Sequence, residues 1–370
     1  MIKVISVIGT RPEVIKTSIL HKLLLENENF ELKICSTGQH KDIFEDTLSL
    51  FGLAIDKQLD GIDSSLPLMQ RVAEHTTSLD ELMRSSSPDI CLIQGDTLSG
   101  YSAAQAAFMN KVPVVHIEAG LRSHNMNDPY PEEMFRHFID SISDTLLCPT
   151  YLSKQNLVRE HIDQDKIFVT GNTTIDALLF ALENTNHIDY DPSNDLARKI
   201  KQVRALGKSP SLLTLHRREN WGEKIQLTLL ELDQIAQEQN LHFFYPVHPN
   251  PSIQSWIRNT ELHHVDILTP LPYFDLIWLL QNIDIVFSDS GGLQEECAYL
   301  KKAIIVLREN TERQEGISHG SAVLWNDFNA DQISQYIQSA ALAPHHIYGD
   351  GTASRQIVEI LQNKYSRTSS

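Results

Sequence analysis

Ile285-Val286-Phe287-Ser288-Asp289-Ser290-Gly291-Gly292-Leu293-Gln294-Glu295-Glu296 is an apolar strand that breaks at two glycines and passes straight into a helix bearing carboxylates. Glycines let backbone N–H groups approach an oxyanion, and a helix N-terminus adds unpaired donors and a partial positive charge. This is the local chemistry of a diphosphate site, and Glu296 follows closely enough to bind sugar hydroxyls. Alone, the segment also reads as an ordinary strand-to-helix turn, and Asp289-Ser290-Gly291-Gly292 superficially matches the nucleophile segment of trypsin-like proteases. The protease reading fails on context, because that fold is a pair of β-barrels whereas this chain alternates strands with helices throughout.

Outward from this segment the alternation repeats. Apolar runs at 3–8, 31–37, 89–94 and 112–118 are separated by helical patterns, the first of which, over 12–26, begins at Pro12 and places Ile15, Ile19 and Leu23 on one stripe. A second series follows 167–170, with runs at 211–215, 242–247, 265–268, 284–288 and 303–307. The pattern predicts an α/β protein of two parallel-sheet, Rossmann-like domains, 1–170 and 171–352, divided near Gly171-Asn172. A helix over 353–364 is expected to return to the first domain, and the polar tail 365–370 to fray.

At 370 residues, with 41% hydrophobic and 21% charged content, the chain can bury a large core. Its net charge of −17, without a basic run, excludes a nucleic-acid surface, so an anionic ligand has to be met locally. The four cysteines, Cys35, Cys91, Cys148 and Cys297, lack C-x-x-C spacing and read as reduced core residues of a cytoplasmic protein. Met1-Ile2-Lys3 enters a strand without signal-peptide character, and no stretch approaches ~18 unbroken apolar residues, so membrane insertion is not expected.

Ligands of open α/β sheets sit beyond the carboxyl ends of the strands, and polar candidates recur there. The first strand is followed by Gly9-Thr10-Arg11-Pro12-Glu13-Val14-Ile15-Lys16, which offers Arg11 and Lys16 to an anion. Later strands end at Asp96 and Glu118, and Pro131-Glu132-Glu133 opens a helix. The second half adds His216-Arg217-Arg218-Glu219-Asn220, His248-Pro249-Asn250-Pro251, the Ser290 turn and Thr311-Glu312-Arg313. Each has a plainer role open to it. Arg11 and Lys16 fit a surface face, Asp96 an N-cap, Glu132 and Glu133 a helix-dipole complement, and His216 and His248 structural histidines. Neither metal-ligand spacing, nor G-x-G-x-x-G, nor a Walker A motif occurs, so no metal, nicotinamide or other cofactor is indicated.

Taken in order along nearly the whole chain, Gly9-Thr10-Arg11-Pro12-Glu13, Gly95-Asp96-Thr97, His116-Ile117-Glu118-Ala119-Gly120-Leu121-Arg122, Pro131-Glu132-Glu133 and the four later segments resemble the non-hydrolysing UDP-N-acetylglucosamine 2-epimerases. The resemblance implies a GT-B type fold, with two Rossmann-like domains facing across a deep cleft, and interconversion of UDP-GlcNAc with UDP-ManNAc for bacterial surface polysaccharide. It also implies a homodimer. By match to the family motifs, Asp96, Glu118 and Glu132 are acid/base candidates, with His216 beside them. Arg11, Lys16, His216, Ser290, Gly291, Gly292 and Arg313 would meet the diphosphate, Glu296 the ribose, and Tyr273 and Phe274 the uracil.

The resemblance further implies a second substrate molecule bound beside the first, near Gln39, Asp42, Arg217 and His248. Here the chain departs from its relatives. Asp42 puts a carboxylate where a neutral or basic residue is expected, Phe135 replaces an asparagine, His137 a polar or acidic residue and Gln314 a proline. Like charge facing a diphosphate costs affinity, so weakened substrate activation is expected. A hydrolysing epimerase, a GT-B glycosyltransferase using a UDP-sugar donor and a non-catalytic nucleotide-sugar sensor remain the alternatives, because fold alone does not fix function.

Overall fold

The computed structural model describes residues 1–366 apart from 39–40, 64, 187–189, 194, 216–221, 248–250 and 259, with the backbone only at 41–44, 251, 252 and 258. Seven strands form the first parallel sheet: β1 (Ile2–Ile8), β2 (Phe30–Ser36), β3 (Lys57–Gln58), β4 (Ile90–Gln94), β5 (Val114–Ile117), β6 (Thr145–Cys148) and β7 (Ile167–Val169). Six form the second: β8 (Ser209–Thr214), β9 (Leu241–Pro246), β10 (Val265–Leu268), β11 (Ile285–Ser288), β12 (Ala303–Val306) and β13 (Ala322–Leu324). The spatial orders are β3-β2-β1-β4-β5-β6-β7 and β10-β9-β8-β11-β12-β13. Each is doubly wound, reversing direction between β1 and β4 in one sheet and between β8 and β11 in the other.

The sheets belong to separate compact units, Met1–Ala177 with Tyr348–Ser370, and Leu178–Ile347. Within the first, the Ala353–Tyr365 helix packs on the Arg11–Glu26 helix, and its last residue, Tyr365, meets Thr145 Oγ1 through its hydroxyl at 2.7 Å. The outgoing and returning chains cross at Gly171 and Gly349. A Cβ on Gly171 would stand 3.2 Å from the Gly349 Cα, and both residues have positive φ, so the crossing needs glycine at each position.

Strands covered on both faces read as continuous apolar runs, and all five residues of β4 are buried. The Leu98–Met109 helix buries Ala103, Ala104, Ala106 and Ala107, whose small side chains let it lie close to its neighbours. In the second unit Phe243 and Phe287 meet edge to face at 5.1 Å between centroids, inside a core of Leu, Ile and Phe. The strands β3, β6 and β13 were not expected from the sequence. All four cysteines are buried and free of disulfides. No described helix is long and apolar enough to cross a membrane.

Candidate functional site

In the first unit the polar residues gather at the carboxyl ends of β1, β4 and β5, which are neighbours in the sheet. After β1 the chain caps the Arg11–Glu26 helix with Thr10. Glu13 reaches back to accept the backbone N–H groups of Gly9 at 3.0 Å and Thr10 at 2.7 Å, and also the Thr97 hydroxyl at 2.8 Å. Glu13 thus ties the loop after β1 to the loop after β4. Burial pushes its carboxyl up to about 7, against the lowering effect of these hydrogen bonds. A native pKa above the unfolded one means that the folded chain binds more protons between about 4.5 and 7. Stability should therefore fall as pH rises through that window, by on the order of 3 kcal/mol in total. Urea denaturation across it should show the decline in the wild type and a flatter profile in Glu13→Gln; equal slopes would exclude Glu13 as the source.

Glu118 follows β5 with φ +71°, a conformation rare for a residue with a side chain. Its buried carboxylate accepts from the Lys16 ammonium at 2.6 Å, from the Gln94 amide and from the Asn172 amide at 3.0 Å. Three donors hold it as an anion. Lys16, expected from the sequence to meet a diphosphate, has this carboxylate as a partner. A Cβ on Gly95 would lie 3.4 Å from Glu118 Oε2, an ordinary contact that places the loop after β4 beside the carboxylate, and it is the φ of +69° that favours glycine there.

Asp96 stands just beyond β4, half-buried, and is ion-paired with Arg136. Thr97, not Asp96, caps the Leu98–Met109 helix, accepting from the Gly100 N–H at 2.9 Å. The plainer N-cap role is thereby filled by another residue. Arg136 also binds the fully buried Glu133, whose other oxygen accepts the N–H groups of Ser123 at 2.9 Å and His124 at 3.1 Å. Glu132, the first residue of the Glu132–Ile142 helix, is half-buried. The two adjacent acids therefore differ in kind: Glu133 is structural mortar, and Glu132 keeps solvent access. Arg11 opens its helix and is half-buried.

In the second unit β11 ends at Ser288, and Ser290 stands at the N-cap of the Gly291–Tyr299 helix without a side-chain capping bond. Ser288 Oγ lies 2.5 Å from Thr214 Oγ1 and accepts the Ser290 N–H at 2.9 Å, which fixes the turn after β11 against the end of β8. A Cβ on Gly291 would fall 2.7 Å from Arg313 Nη1, so the guanidinium rests directly on that glycine. A Cβ on Gly292 would meet nothing within 4 Å among the described residues beyond its own helix. Arg313 is buried, pairs with Glu295 at 2.9 Å and is bonded to Glu312. Glu296 is a different case, for its carboxylate accepts from the Tyr273 hydroxyl at 2.9 Å. Tyr273 is fully buried, and Phe274 packs near Phe180 at 6.1 Å.

His216, Arg217, His248 and Gln39 lie outside the described residues, as does the side chain of Asp42. Sequence reasoning passed over Gln94, Arg136 and Asn172 as partners of the acids, and Asp140 as the partner of His116 and Arg122. Only Glu13 carried a usable signal, the capping-box spacing Thr10-x-x-Glu13.

Two doubly wound parallel-sheet units, each with its polar residues gathered where the strand order reverses, define a double-Rossmann protein of the GT-B type. Residues 22–362 match the model of the UDP-N-acetylglucosamine 2-epimerase family, and the chain belongs to that family. The UDP-N-acetylglucosamine 2-epimerase of Neisseria meningitidis is 35% identical over 370 residues, 97% of this chain and 99% of the relative. The crystal structure of the Neisseria meningitidis enzyme bound to UDP-GlcNAc matches with a TM-score of 0.88 at 34% identity, over 98% of this chain and 100% of that one. The S. aureus MnaA structure with UDP matches with a TM-score of 0.90 at 28% identity, over 100% and 98% respectively.

Proposed function

We propose that this protein interconverts UDP-GlcNAc and UDP-ManNAc without hydrolysis, by eliminating and readding UDP, and so supplies a precursor of bacterial surface polysaccharide. The hydrogen on C2 of the sugar is not next to a carbonyl, so its removal needs a leaving group that departs in concert. A carboxylate takes the C2 proton as the C1–O bond breaks, UDP leaves with the bonding pair, and 2-acetamidoglucal forms. In the return step a UDP oxygen attacks C1 and an acid delivers a proton to the opposite face of C2. Asp96, Glu118 and Glu132 fill the acid and base roles. Arg11, Lys16, His216, Ser290, Arg313 and the N–H groups of Gly291 and Gly292 meet the charge on the diphosphate, and Glu296 meets the ribose.

The observation that carries the reading is Glu118, an anion held in left-handed backbone beside the loop that bears a second carboxylate, Asp96. Strained backbone of this kind clusters at functional sites. Incubation with UDP-GlcNAc alone in deuterated water should give UDP-ManNAc carrying deuterium at C2. Free ManNAc with UDP would identify a hydrolysing enzyme, and product without the isotope would rule out proton transfer at C2.

Gly292→Ala separates ligand contact from folding. Among the described residues the added methyl meets nothing within 4 Å beyond its own helix, so thermal stability should be unchanged. It would stand in the path by which a phosphate approaches the helix N-terminus, and UDP affinity should fall about tenfold, or ~1.4 kcal/mol. Unaltered affinity by calorimetry would move the diphosphate away from this turn.

A further inference from the structure

His116 is the third residue of β5, and its ring is fully buried. Nδ1 lies 2.7 Å from Asp140 Oδ1, and Nε2 lies 2.9 Å from the Gly95 carbonyl oxygen. A carbonyl only accepts. Asp140 only accepts as well: its second oxygen is 2.7 Å from Arg122 Nη1 and takes the Gly120 N–H at 3.2 Å. Burial alone would raise the Asp140 carboxyl, but Arg122 and His116 hold it below its ordinary value. A neutral imidazole has one N–H, so it would aim a lone pair at one of these two oxygens; an imidazolium satisfies both.

We infer that His116 is a buried imidazolium that grips the Gly95 carbonyl and so positions the neighbouring Asp96, a role resting on the proposed part of Asp96 in epimerisation. The surroundings balance the charge. Asp140 faces the ring from the Glu132–Ile142 helix, and the Arg122 guanidinium beyond it is shared with Glu160 at 2.6–2.7 Å. The Cys148 thiol on β6 stands near Asp140, and burial pushes it far up, so it stays neutral. His116 and Arg122 against Asp140 and Glu160 sum to zero, which is the condition for keeping ionised groups in the interior.

The same helix reaches the acid-bearing loops at three points along one face. Glu133, Arg136 and Asp140, spaced i, i+3 and i+7, are all buried. Glu133 holds the backbone of Ser123 and His124, Arg136 holds Asp96, and Asp140 holds His116, Gly120 and Arg122. His116 extends this reach across the sheet to the backbone just before Asp96.

The protonation state is read from ¹⁵N–¹H spectra of histidine-labelled protein, one of whose 16 histidines is His116. Its signals are assigned by their loss in His116→Gln or, should that variant not fold, by Overhauser contacts to the Gly95 and Gly120 amides. Both ring nitrogens should be of the protonated type in the active enzyme; one unprotonated nitrogen overturns the inference. In His116→Gln, kcat should fall about 10- to 100-fold, the size typical of losing an outer partner of a reacting group, with KM held within about twofold. Unchanged kcat with a protonated ring in the wild type would overturn the positioning role. A wild type inactive on UDP-GlcNAc would instead refute the proposed function, and the spectra would still decide the charge of the ring.

Discussion

Asp96→Asn, Glu118→Gln and Glu132→Gln should each lower epimerase turnover by at least about 10²-fold while UDP still binds, because a carboxamide keeps the shape and loses the proton chemistry. The structure separates the three by their surroundings. Asp96 and Glu132 are half-buried, and Arg136 keeps Glu133 when Asp96 is neutralised, so their carboxamides should fold with little loss of stability. Glu118 is buried against the Lys16 ammonium, and Glu118→Gln takes that carboxylate away from it. Breaking a buried pair from one side costs about 3–5 kcal/mol. A fall in activity at this position therefore has two sources, and the double variant Glu118→Gln with Lys16→Met, read against Lys16→Met alone because Lys16 is also placed at the diphosphate, divides them. It should regain most of the lost stability and none of the turnover. Near-normal rates in all three single variants would remove the acid/base assignment, and recovery of turnover in the double variant would make Glu118 a structural residue.

The parts of this chain that the sequence made legible are those in which a local pattern has a local cause. Apolar runs of four to seven residues, glycine at strand ends and helical stripes sufficed for two parallel-sheet units and for the positions of Asp96, Glu118 and Ser290 at strand termini. What stayed hidden is pairing between segments far apart in sequence. Lys16 lies 102 residues from Glu118, and nothing near either one announces that they meet. The same holds for Asn172 with Glu118 and for His116 with Asp140. Basic residues next to glycine-rich turns look alike whether they bind a ligand or a neighbouring carboxylate. Adjacent acids are equally ambiguous. Glu132 and Glu133, like Glu295 and Glu296, are one residue apart and face different environments, because consecutive helical residues point about 100° apart.

Arg313→Met should destabilise the second unit more than any surface change and weaken UDP binding at the same time. The guanidinium is buried, neutralises Glu295, bonds Glu312 and lies on the Cα of Gly291. Glu312 keeps Arg308 at 2.9 Å, whereas Glu295, within the Gly291–Tyr299 helix, loses its Arg313 ion pair. The expected cost is about 3–5 kcal/mol. For a unit of this size that lowers the thermal transition by roughly 10 °C. Gly291→Ala should act on the same contact from the other side. Its methyl would come within 2.7 Å of Arg313 Nη1, and the guanidinium has to move while bound to two carboxylates. The pair Arg313→Met with Glu295→Gln distinguishes a structural brace from a ligand contact. Removing both charges should restore much of the stability, as replacing a buried ion pair from both sides often does. If Arg313 also meets the diphosphate, UDP affinity stays low in the restored protein. If affinity returns with stability, Arg313 acts only by supporting Gly291, and the diphosphate is held by the helix N-terminus without it.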